Sequence, residues 1–168
     1  MKKTIYLLVF FINYISFSQE YNSIKYSELF INTISINSSK NQFITGLNLI
    51  NTNSIYIDEI ANEENEKFIQ DNASSLIKSE FYFKDNKLTG FELLDNNFYI
   101  NNINLKVGNS ISLIESLYPL SFTNRSIINN VGFICILLKK EDNSLSDEKI
   151  IINYNSTTDK IISIHITS

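Results

Sequence analysis

Apolar residues along the chain switch between a period of two and a period near 3.6, the spacings that turn one face of a strand or helix towards a core. Ile34 and Ile36 stand between polar neighbours and predict a short half-buried strand. Ser39 and Gln42 then hold the spacing of a capping box, and Phe43, Ile44 and Leu47 share one face of the helix it opens. Gly46 weakens that helix. Ser54 to Ile60 reads as a strand, and the acidic run Asp58-Glu59 and Glu63-Glu64-Asn65-Glu66 as a solvated loop or strand connection. Leu76 to Lys84, Asp85-Asn86 and Leu88 to Leu94 make a hairpin, because Asp and Asn accept the positive φ of a tight turn.

The second half follows a similar order. Ile103, Leu105 and Val107 alternate as a strand, and Gly108-Asn109-Ser110 breaks it. Asn109 is placed to cap a helix with Ile111, Ile114, Leu117 and Tyr118 on its apolar face, which Pro119 stops. Val131 to Lys139, Lys149 to Tyr154 and Lys160 to Ile166 read as three strands, with turns at residues 140–143 and 155–159.

The N-terminus has a different character. Lys2 and Lys3 precede an almost wholly apolar run from Ile5 to Phe17, and Ser16 and Ser18 supply small residues ahead of Gln19-Glu20. This is the pattern of a secretory signal peptide over residues 1–18, and the apolar run is shorter than the ~20 residues a membrane-spanning helix needs. The reading predicts export to the periplasm, with the extracellular medium as the alternative. An N-terminal segment over 19–30 would follow, then one domain of two units, 31–97 and 98–168. The only cysteine is Cys135, so no lipid anchor on an N-terminal cysteine is expected.

Phe43-Ile44 and Leu47 match Leu113-Ile114 and Leu117 at one offset, and residues 86–91 match 159–164 at a slightly larger one. Two strand-helix-sheet units, each too small to bury its own core, account for this. The predicted class is α+β: two β-α-β(meander) units forming a layered antiparallel sheet packed on short helices. The stretch Leu105-Lys106-Val107-Gly108-Asn109-Ser110-Ile111 resembles the strand, Val-Gly and helix entry of the BamE/SmpA repeat. Tandem copies of that unit resemble the β-lactamase inhibitor protein fold. The resemblance implies a domain that binds another protein without chemistry. The Phe17-Ser18-Gln19 ending, with abundant Asn and Ile and scarce Ala, Gly and Pro, resembles exported proteins of AT-rich Bacteroidota. The many Asn residues then read as surface filler.

Charge narrows the partners. The formal charge is −4, and −6 once Lys2 and Lys3 are removed; with one arginine and no basic stripe, nucleic acid is excluded as a partner. A lone cysteine forms no intramolecular disulfide, so packing must stabilise the fold. His165 reads as a solvent-facing residue, with Ser163, on the side of its strand opposite the isoleucines. Cys135 reads as a small buried hydrophobe, and the two could act together only if their strands were neighbours. The glutamates form a charge run rather than an enclosed pair, and Asp142-Asn143 with Asp147-Glu148 lacks the ligand spacing of a calcium loop. No cofactor or metal is implied. Tyrosines among charges suit an interface, since each ring buries a large area while its hydroxyl stays bonded. The candidate partner-binding residues are Tyr56, Asp58, Glu80, Tyr82, Arg125, Asn153 and His165. The expected function is a monomeric, non-catalytic protein-binding or inhibitor-like module. The alternatives are a toxin-neutralising immunity protein and a small hydrolase or metal-dependent enzyme.

Overall fold

Every non-glycine residue of positive φ among the described residues is Asn or Asp, and these ten positions punctuate the fold. A short side chain that bonds locally makes the left-handed region accessible, so these eight asparagines and two aspartates shape the backbone where they stand. The computed structural model describes residues 21–58, 63–70, 78–100 and 104–167. The signal-peptide segment lies outside them.

In chain order the first half contains β1 (Ser23–Lys25), a 3-10 turn (Tyr26–Glu28), β2 (Phe30–Ile31), β3 (Ile34–Ser35), α1 (Lys40–Leu47), β4 (Leu49–Asp58), β5 (Glu63–Gln70), β6 (Glu80–Lys84) and β7 (Lys87–Leu93). The second contains α2 (Ser112–Leu117), α3 (Pro119–Thr123), β8 (Ser126–Ile128), β9 (Val131–Lys139), β10 (Leu145–Asn155) and β11 (Lys160–Thr167). Asp85-Asn86 turns β6 into β7 and Asn129-Asn130 turns β8 into β9, each with two positive φ values as tight hairpins require. Asn48 ends α1 in the left-handed conformation, and Asn53 sits where the register of β4 shifts.

Nine strands form one sheet in the order β1-β9-β10-β11-β7-β6-β5-β4, with β8 also alongside β9. The meanders β4 to β7 and β8 to β11 meet where β11 pairs antiparallel with β7, through Ile164↔Leu93 and His165↔Glu92. Each meander is preceded by helical structure anchored on the meander's last hairpin. Ser39 bridges Lys87 ahead of α1, and Ser110 bridges Lys160 ahead of α2.

The helices pack on one face of this sheet. Phe43 of α1 lies 6.5 Å from the Phe81 ring and 5.7 Å from the Phe83 ring, centroid to centroid. Ile111 and Ile114 join the same core with Ile134, Ile152 and Ile161. Asn22, beside β1, ties α3 to β9: its Oδ1 accepts the Leu120 and Ser121 N–H groups, while its carbonyl accepts from Leu137.

The predicted α+β class is overturned. Strand accounts for 52% of the structure and helix for 17%, so the fold is mostly β, and the sheet is mixed because β1 runs parallel to β9. Helices of five to eight residues bury few side chains each, whereas the alternating strands carry most of the core.

Other local expectations shift too. Glu63–Gln70 is a strand, not a loop: Phe68 is buried, Lys67 pairs with Glu80 and Glu66 with Lys40. Leu105 forms only an isolated bridge with Ile100, Val107 lies in no strand, and Ile103 lies outside the described residues. Asn109 does not cap α2; its side chain accepts the Lys106 N–H in the preceding turn. Pro119 follows α2 and itself opens α3, where its missing N–H costs nothing. The capping box forms as expected, with the Ser39 N–H donating to Gln42 Oε1 at 2.9 Å.

Tyr154 lies across the sheet from Gly132 and fills the space above it. A Cβ on Gly132 would fall 2.0 Å from the Tyr154 ring, whereas one on Gly90 would meet only Tyr82 Cδ2, at 3.4 Å. Gly132→Ala should therefore destabilise the fold by about 1–3 kcal/mol through overpacking, and Gly90→Ala by much less. Urea denaturation of the two variants checks the ordering.

Candidate functional site

Strand alternation leaves the second sheet face with a row of side chains that no described helix covers. Cross-strand register sets the row: Cys135 on β9 opposes Ile151 on β10, Ile151 opposes His165 on β11, His165 opposes Glu92 on β7, and Glu92 opposes Glu80 on β6. A register shift in β11 helps shape it. Tyr154 pairs with Ile161 and Asn153 with Ser163, so Ile162 is the extra residue. Ile161 is buried and Ile162 is 43% exposed, which breaks the expected grouping of the isoleucines on one side.

Two polar groups in this row are unusual. Ser163 is buried rather than solvent-facing, and its Oγ accepts from Asn153 Nδ2 at 2.9 Å. Asn153 Oδ1 and His165 Nδ1 are both buried without a hydrogen-bond partner. Desolvation holds the His165 imidazole below the ordinary histidine range, which favours its neutral form.

Next to them is a charge cluster. Lys67 Nζ lies 2.5 Å from Glu80 Oε1, and the Tyr82 hydroxyl donates to Glu80 Oε2 at 2.6 Å. Glu80 is thus bonded at both oxygens. Glu92 makes no salt bridge among the described residues; burial first, and Glu80 second, push its carboxyl above the usual range, with Lys67 opposing.

The sequence-predicted residues divide three ways. Glu80, Tyr82, Asn153 and His165 come together on this face. Tyr56 and Asp58 lie on the edge strand β4, paired in register with Asn65 and Glu63, and their side chains lie outside the described residues. Arg125 is elsewhere: it stacks 4.1 Å from the Phe122 ring, donates to the Phe122 carbonyl at 2.9 Å, and lines a hollow with Tyr154 on the helix side. Sequence reasoning missed Glu92 and Lys67. The alternation Phe91-Glu92-Leu93 marked Glu92 as facing away from the core, but nothing local showed that β11 would lie beside it.

Cys135 and His165 are not neighbours. β10 separates their strands, which places them about 10 Å apart at the ~4.8 Å strand spacing, beyond proton-transfer reach. Burial raises the Cys135 thiol, and Lys149 offsets only part of that. Among the described residues no three His, Cys, Asp or Glu side chains gather as a metal site. None of the described helices is long and apolar enough to cross a membrane.

No family model, curated protein or solved structure matches this chain. The chemistry of the face is therefore the guide to its use: a half-buried imidazole, a desolvated carboxyl and a tyrosine ring beside an ion pair.

The depressed His165 value has a stability consequence. The folded state binds that proton less readily than the unfolded chain, so this contribution is complete above about pH 6.5 and is lost as pH falls through the lower folded-state value. Glu92 acts oppositely, with stability present below the ordinary glutamate value and lost as pH rises through its raised one. Between pH 7.5 and 5.5 the melting temperature of wild type should fall relative to that of His165→Gln. Parallel pH profiles would show that the imidazole titrates alike in both states.

Proposed function

We propose that this chain is an exported, non-catalytic protein-binding module that engages its partner through the helix-free sheet face. The observation that carries the reading is the row of Glu80, Tyr82, Glu92 and His165, set side by side by the β6–β7–β11 register on a face that no described helix covers. Tyr82 adds a ring whose hydroxyl is already bonded, so its apolar surface can be covered without stranding a polar group.

Two further features support the reading. The Lys2-Lys3 start and the apolar run from Ile5 to Phe17 support export to the periplasm. The equivalent bridges Ser39↔Lys87 and Ser110↔Lys160, each joining a helix entry to the last hairpin of a four-stranded meander, support two tandem units over 31–97 and 98–168 and the resemblance to the BamE/SmpA repeat. The distance between Cys135 and His165 weighs against a hydrolase built on that pair.

Affinity capture from envelope extract with the chain from Gln19 onward tests the proposal. A stoichiometric protein should be retained by wild type and lost with Tyr82→Ala at an unchanged melting temperature. Retention of nothing at low salt, or equal retention by the variant, sinks this assignment of the face.

A further inference from the structure

The opposite side of the sheet carries a second feature, a groove of about 340 Å³ between the N-terminal segment and the ends of β7, β10 and β11. Ile36, Leu88 and Ile166 give it apolar walls, and all three are buried or packed against the core. Tyr26, Lys140 and Glu141 stand around it, and Glu148 lines it two residues before the buried Ile150.

These polar groups are not equivalent. The Glu141 carboxylate accepts the Ser27 N–H at 3.2 Å and the Ser27 hydroxyl at 3.1 Å. The Tyr26 hydroxyl sits 3.4 Å from that of Ser146. The Glu148 N–H donates to Ser146 Oγ at 3.3 Å, and among the described residues no cation or donor meets its carboxylate. Lys140 lines the same groove without pairing with it. Burial alone pushes the Glu148 carboxyl above its ordinary range. A half-buried carboxylate without a counter-charge is poorly solvated, and a cation seated against it removes that deficit.

We infer that this groove binds a small aliphatic amine, whose ammonium group meets the Glu148 carboxylate while its hydrocarbon body lies against Ile36, Leu88 and Ile166. The volume is at the lower end of the ~300–1,000 Å³ typical of small-ligand sites, which suits a compact ligand rather than a docked chain. The apolar walls favour a hydrocarbon over a hydrated inorganic cation, which would keep its water and leave them uncovered. This site is independent of the sheet face proposed for a protein partner.

Calorimetric titration of the purified protein with hexylamine at mildly alkaline pH, with hexan-1-ol as the neutral control, tests the inference. Hexylamine should bind saturably, and Glu148→Gln should weaken it about tenfold or more, the loss of one charge-assisted contact. The variant should melt no lower than wild type, because it removes an unpaired charge. The comparison of amine with alcohol on wild type needs no variant at all. Absence of saturable hexylamine binding at millimolar concentration, equal binding of the alcohol, or undiminished binding by a folded Glu148→Gln would each overturn the assignment.

Discussion

The nine-stranded sheet depends on its shortest ladder. Only Ile164↔Leu93 and His165↔Glu92 join β11 to β7, yet this pairing makes one sheet of two meanders. Its two faces carry opposite demands. On the helix side Ile164 and Leu93 are fully buried, so the junction is held by apolar packing between the halves as much as by backbone bonds. On the other side the same register sets an imidazole beside a carboxyl, and both are partly desolvated. The geometry that completes the core thereby creates the polar row. Neither half could present that row by itself.

The helices reinforce this arrangement from one side. α1 lays Phe43 onto the aromatic cluster of Phe81 and Phe83, and Phe68 meets Phe83 edge to face at 5.3 Å. The entry to α2 is pinned to the β10–β11 hairpin by the Gly108 and Ile111 N–H groups, which donate to the Ile161 and Asp159 carbonyls. Because the helices gather on that face, no described helix covers the other, and the groove at the sheet's end remains on the helix side. Two surfaces of different chemistry thus follow from one asymmetric packing. The sheet face offers Glu80, Glu92 and the Tyr82 ring, and the groove the Glu148 carboxylate beside apolar walls.

Strand content was partly legible from local patterns and partly hidden. Val131 to Lys139 is a continuous apolar run closed by Lys139-Lys140, which makes the strand legible, and Asp85-Asn86 marks its hairpin because two adjacent residues must take positive φ. Glu63–Gln70 was illegible for the opposite reason. Its charges resemble a solvated loop until Lys40 and Lys67 are placed against Glu66 and Glu80, a contact between residues far apart in sequence. β8 is three residues with exposed side chains, held only by pairing with β9, so no burial pattern announces it. The class was misjudged because apolar spacing shows where helices begin without showing how little core each would cover.

Elements with local causes were legible along the chain. The Ser39–Gln42 capping box, the Asp and Asn turns, the alternation of β6 and the apolar run of β9 all depend on a few neighbouring residues. Tertiary structure decided what lies beside what. It put β10 between Cys135 and His165, set Glu92 against His165, moved Arg125 to the helix side, and paired Glu148 with no cation among the described residues. Strand order is a property of the whole chain, fixed by which long-range pairings bury the most apolar surface together. No window of neighbouring residues contains that comparison.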